Sequence, residues 1–125
     1  MIKINNIEFK SVKTEVIKDS YKNTKNNETR EGKSLYIKFI CESASVGIEN
    51  NYDIEMFSKL KLDVKEDITK YLTDIYYEDD KGWISLITSD YKCYITRLDD
   101  NKYNINLSVK DYDYDIEVNE DITGI

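Results

Sequence analysis

Apolar and polar residues alternate strictly along the last third of the chain. Tyr103, Ile105, Leu107 and Val109 fall on one side of a two-residue period, and Asn104, Asn106 and Ser108 on the other. Tyr112, Tyr114, Ile116 and Val118 then alternate with Asp113, Asp115 and Glu117. That period, carried by β-branched and aromatic residues, marks strands with one buried face. Residues 83–118 also hold WISLIT and YKCYITRL, set apart by short polar breaks, so the stretch predicts a four-stranded antiparallel meander with a two-residue turn at Ser89-Asp90. Its first two strands are apolar on both sides, which predicts cover on both faces.

The beginning of the chain carries a hairpin signal. Ile2-Lys3-Ile4 and Ile7-Glu8-Phe9 flank Asn5-Asn6. Asn tolerates the positive φ that a two-residue hairpin turn requires, and such a turn sets Ile4 opposite Ile7. The apolar parity flips between Phe9 and Val12, which predicts a bulge near Lys10-Ser11. Residues 19–32 are polar apart from Tyr21 and read as a long mobile loop. Leu35, Ile37, Phe39 and Cys41 then share one strand face, with Tyr36 and Ile40 on the other, and residues 43–54 read as irregular. Met56, Leu60 and Leu62 suggest a further strand. Val64, Ile68, Tyr71, Leu72 and Ile75 fall at helical spacing behind Asp63 and Glu66, which predicts one amphipathic helix over residues 64–76. The expected fold is a single α+β domain over residues 1–125: mainly an antiparallel β-sandwich or partly rolled sheet, with one flanking amphipathic helix.

Composition narrows the function more than the fold. A chain of 125 residues is long enough for one core of its own. It has no apolar run near the ~20 residues of a membrane span, and residues 1–5 lack the apolar stretch of a signal peptide. The expected location is therefore the cytoplasm, or a virion or tail-like particle assembled there. A formal net charge of −7 disfavours nucleic acid and anionic membrane and leaves basic protein partners open. Only Arg30 and Arg97 are arginines among 18 basic residues.

The residues for chemistry are scarce. Histidine is absent, which removes the commonest general base, nucleophile activator and metal ligand. Cys41 and Cys93 both fall on apolar-facing strand positions and read as buried free thiols. No glycine-rich phosphate loop occurs. Asp79-Asp80 and Asp99-Asp100 sit where turns are expected, and turns favour Asp for local hydrogen bonding. The run Asp111-Tyr112-Asp113-Tyr114-Asp115 opens like a calcium loop, but Ile116 and Ile122 stand where such a loop needs Gly and Glu. It reads instead as a strand with a solvent-facing acidic edge. No enzyme activity, cofactor or metal is expected.

What remains is recognition. Eleven tyrosines and one tryptophan suit a binding surface, because Tyr combines apolar area with a polar tip. Tyr21, Arg30, Tyr36, Tyr76 and Tyr77 are the candidate partner-binding residues. Residues 1–9, the polar segment after them, Thr29-Arg30-Glu31-Gly32-Lys33 ahead of an apolar strand, and the strand-to-helix step in residues 60–72 resemble small tail proteins of phages that infect Gram-positive bacteria. That resemblance covers the order of elements over roughly 60% of the chain and leaves out the final hairpin. It implies a non-enzymatic structural or assembly role in a phage tail or tail-like particle, through protein–protein contacts or self-assembly. The charge supports a different reading, an acidic inhibitor or immunity protein that blocks a basic partner such as a nuclease toxin or a defence enzyme.

Overall fold

The computed structural model describes residues 1–25, 28–51 and 54–125, and the side chains of all these except 19–25, 28–34 and 54. Among the described residues eleven strands form two antiparallel sheets. They are β1 (Ile2–Ile4), β2 (Ile7–Phe9), β3 (Ser11–Lys25), β4 (Glu28–Cys41), β5 (Ala44–Asn50), β6 (Lys65–Asp67), β7 (Leu72–Asp79), β8 (Gly82–Ser85), β9 (Asp90–Arg97), β10 (Lys102–Lys110) and β11 (Asp115–Thr123). One sheet runs β2-β1-β11-β10-β9-β6 and the other β3-β4-β5-β7-β8. Buried residues of both sheets make one cluster, among them Ile2, Ile105, Leu107 and Val118 from the first and Leu35, Ile37, Phe39 and Ile75 from the second. The alternating positions 103, 105, 107 and 109 are all buried, as their period requires. Cys41 and Cys93 are buried free thiols, and burial pushes Cys93 up to about 12.

The N-terminal hairpin forms as expected. Asn5 and Asn6 have φ of 51° and 68°, and Ile4 pairs with Ile7. The parity flip after Phe9 has a larger cause than a bulge alone. The chain leaves one sheet after β2 and enters the other at β3, and the register slips between Ser11 and Lys13.

The flanking helix does not exist. Residues 64–76 form β6, one turn of 3-10 helix at Thr69–Tyr71, and the first part of β7. The helical spacing comes from a corner and a bulge. Ile68 is buried where the chain passes between the sheets. In β7, Asn50 pairs with Leu72 and Glu49 with Asp74, so Thr73 is an extra residue. That insertion puts Leu72 and Ile75, three apart, on the same buried face. Only α1 (Ile54–Phe57), a single turn, is α-helical among the described residues. Among the described residues no helix is long and apolar enough to cross a membrane. The class is mostly β rather than α+β.

Three further expectations change. Residues 19–25 and 28–32 are strand rather than loop: they belong to the arms of the β3–β4 hairpin, whose register sets Lys22 against Glu31 and Lys25 against Glu28. Residue types of opposite charge at paired positions favour strand pairing without apolar burial. Residues 44–50 are strand β5: Val46 and Ile48 alternate inward, and the strand is hidden because Ser45 and Gly47, weak strand formers, hold the positions between them and the inward face ends on Asn50. The meander over 83–118 loses its first member. β8 pairs with β7, while β9, β10 and β11 form a three-stranded meander in the other sheet. The acidic strand begins only at Asp115. Asp111 Oδ1 accepts from the backbone N–H groups of Asp113 and Tyr114, closing a turn that leaves Tyr112 fully exposed.

Candidate partner-binding face

The two sheets turn unlike faces outward. On the six-stranded sheet the outward positions of β10 and β11 are polar: Asn104 donates to Asn119 and Asp121, and Ser108 pairs with Glu117. On the five-stranded sheet three aromatic rings meet. Register explains how. Glu49 pairs with Tyr36 and with Asp74; Gly47 pairs with Lys38 and with Tyr76; Ser45 pairs with Ile40 and with Glu78. Trp83 stands opposite Glu78, and Ser85 opposite Tyr76. Period-two alternation therefore places Tyr36, Lys38, Gly47, Glu49, Asp74, Tyr76, Glu78 and Trp83 on one side.

The rings touch edge to face. Tyr36 and Tyr76 lie 6.2 Å apart at 63°, and Tyr76 and Trp83 lie 5.6 Å apart at 75°. Between them is an open groove of about 330 Å³, lined by Tyr36, Lys38, Ser45, Gly47, Tyr76, Glu78 and Trp83. Its floor needs glycine. A Cβ at Gly47 would meet the Tyr36 hydroxyl and lie 2.9 Å from its Cζ, so the Tyr36 ring lies across this bare stretch of β5. Carboxylates surround the rings. The Asp74 carboxylate accepts from the Ser85 hydroxyl, and the Lys38 ammonium reaches Glu78 at 3.7 Å across β5. Burial, then the Glu78 and Glu49 charges, raises the Tyr36 hydroxyl above its ordinary value. A hydrogen bond to Asp74, then burial, pushes Tyr76 up to about 12.

Tyr77 points the other way. It packs partly against the core, donates to Asp79 at 3.1 Å and lies 4.9 Å from the Tyr114 ring. Burial and that hydrogen bond push it up to about 12. Tyr21 and Arg30 stand on the two hairpin arms, opposite Gly32 and Asn23, and their side chains lie outside the described residues. Of the five sequence candidates, Tyr36 and Tyr76 thus come together, and Tyr77 is on the opposite face of the same strand. Trp83, Gly47, Asp74 and Glu78 were not singled out. A lone Trp on a short polar-flanked strand was the available signal, but its neighbours depend on which sheet β8 joins.

The two tyrosines with values near 12 make alkaline stability testable. Between pH 10 and about 12 the unfolded chain gives up protons that folded Tyr76 and Tyr77 keep. Stability is therefore unaffected by them below pH 10 and falls as pH rises through that window. We expect urea midpoints to decline there, and more shallowly in a Tyr76→Phe, Tyr77→Phe double variant; equal slopes would show that neither hydroxyl is held neutral.

Among the described residues no group of three or more His, Cys, Asp or Glu side chains could hold a metal ion. Comparison with protein-family models, with curated proteins and with solved structures finds no match to this chain.

Proposed function

We propose that the protein acts without catalysis, by binding a basic protein through the outer face of its five-stranded sheet, as an acidic inhibitor or immunity protein would. The observation that carries this is the aromatic trio, half-buried Tyr36 and Tyr76 beside exposed Trp83, rimmed by Glu49, Asp74 and Glu78. Trp83 is 66% exposed on an edge strand. A large apolar ring left in water contributes little to folding, whereas Trp and Tyr dominate the energetics of protein interfaces. The net charge of −7 adds long-range attraction for a cationic partner.

Affinity capture from extracts of the cells that encode it tests this. Wild-type protein should retain basic proteins that Trp83→Ala and a Glu49→Lys, Glu78→Lys double variant lose, while Asn106→Lys on the other sheet keeps them. The same proteins retained by all four would refute it.

A second reading, a structural component of a phage tail or tail-like particle, draws on the resemblance noted above and on the β3–β4 hairpin. Among the described residues, 28–34 of β4 pair with β3 alone, which leaves β3 as an edge strand able to pair with another subunit. Rings or filaments growing with protein concentration would favour that role over the first.

A further inference from the structure

We infer that the groove between Tyr36, Tyr76 and Trp83 receives a single arginine side chain of the partner, which displaces Lys38 from Glu78. This rests on the reading that the face binds a basic protein, and it names the group recognised.

The groove is small. At about 330 Å³ it lies at the bottom of the ~300–1,000 Å³ range of ligand sites, so it suits one side chain rather than a folded loop. Its walls are ring faces and edges, its floor is the backbone of Gly47, and a carboxylate, Glu78, stands in its lining. A planar guanidinium meets both requirements at once. It stacks on an aromatic face and offers a two-pronged donor to a carboxylate, whereas an ammonium is a strongly hydrated point charge.

The fold already holds a cation in this place. Lys38 reaches Glu78 diagonally across β5, over the small residues Gly47 and Ser45. The pair is long at 3.7 Å, and the Glu78 side chain is 52% exposed. Exposed pairs of this kind contribute little, so an incoming guanidinium replaces Lys38 at small cost. Lys38 thereby satisfies Glu78 in the free protein and competes with the partner. Gly47 acts as a positioning residue, since any Cβ there moves the Tyr36 ring. The clash is with the far end of a flexible side chain, so the substitution disturbs the groove far more than the fold.

Titration of the full chain with an arginine hexapeptide and a lysine hexapeptide tests the slot. Trp83 is the only tryptophan, so its indole N–H resonance reports on the groove alone. The arginine peptide should move that resonance and bind roughly tenfold tighter than the lysine peptide. By calorimetry, Gly47→Ala should melt like wild type and lose the arginine preference. Lys38→Met should tighten arginine binding several-fold more than Lys92→Met, which changes the charge equally on the other sheet. If Gly47→Ala melts early, Trp83→Ala serves the same comparison. Equal binding of both peptides, insensitive to these variants, would overturn the arginine slot and leave the basic-partner reading standing. Binding of neither peptide would overturn both.

Discussion

Ile68→Ala and Leu72→Ala should each lower stability by about 2–5 kcal/mol, a large part of the ~5–15 kcal/mol typical of a domain. Ile68 is 2% exposed and Leu72 7%, and both belong to the shared core. They sit at the corner where the chain leaves β6 and enters β7. The Ile68 N–H donates to the Cys93 carbonyl at 2.9 Å, and the Tyr71 N–H donates back to Ile68. The backbone there is fixed on both sides, so little collapse can fill the cavity left by truncation. Lys70, exposed between them, should tolerate alanine within about 0.5 kcal/mol. Asp74, further along β7, is held in place, its carboxylate accepting from the Ser85 hydroxyl and the Ile75 N–H. Urea midpoints for the Ile68, Leu72 and Lys70 variants check this. Equal midpoints for all three would show that the corner is not packed.

Phe57→Ala should cost about 3–5 kcal/mol. The helix that carries it, Ile54–Phe57, is one turn long. Helices that short do not persist on their own in water, so packing holds this one. Phe57 is 1% exposed, and its ring meets Tyr103 edge to face at 6.1 Å and 80°. Tyr103 lies on β10 of one sheet, and α1 packs beside β4 of the other. The ring therefore plugs one end of the space between the sheets. Met56, its neighbour, is 40% exposed and should tolerate alanine with little loss. A melting curve for Phe57→Ala that overlays that of Met56→Ala would refute the plug.

The strands with uninterrupted alternation were legible, and so was the first turn. β10 shows its buried face in every second residue, and Asn5-Asn6 supplied the positive φ of the hairpin. The failures arise where, for a tertiary reason, alternation is broken or is carried by weak strand formers. The extra residue at Thr73 turned a strand period of two into an apparent helical spacing. β5 was missed because Ser45 and Gly47 are small, and they are small because Tyr36 and the Lys38–Glu78 pair lie over them. The site was half legible for the same reason. Tyr36 and Tyr76 stand out by residue type, but their meeting with Trp83 depends on three strand registers and on β8 joining β7 rather than β9. Single-strand periodicity does not hold that information.

The position of β1 has a consequence for the living cell. This strand lies between β2 and β11, and Ile2, Lys3 and Ile4 pair with Val118, Glu117 and Ile116. On the ribosome, β1 emerges more than a hundred residues ahead of its second neighbour. Until then the β1–β2 hairpin has an unpaired edge, and Ile2 and Ile4 lack part of their cover. Pairings this distant in sequence form late and slowly. The nascent chain therefore completes its six-stranded sheet only after β11 has cleared the exit tunnel, and a chain cut short before residue 115 would present that open edge to chaperones and proteases.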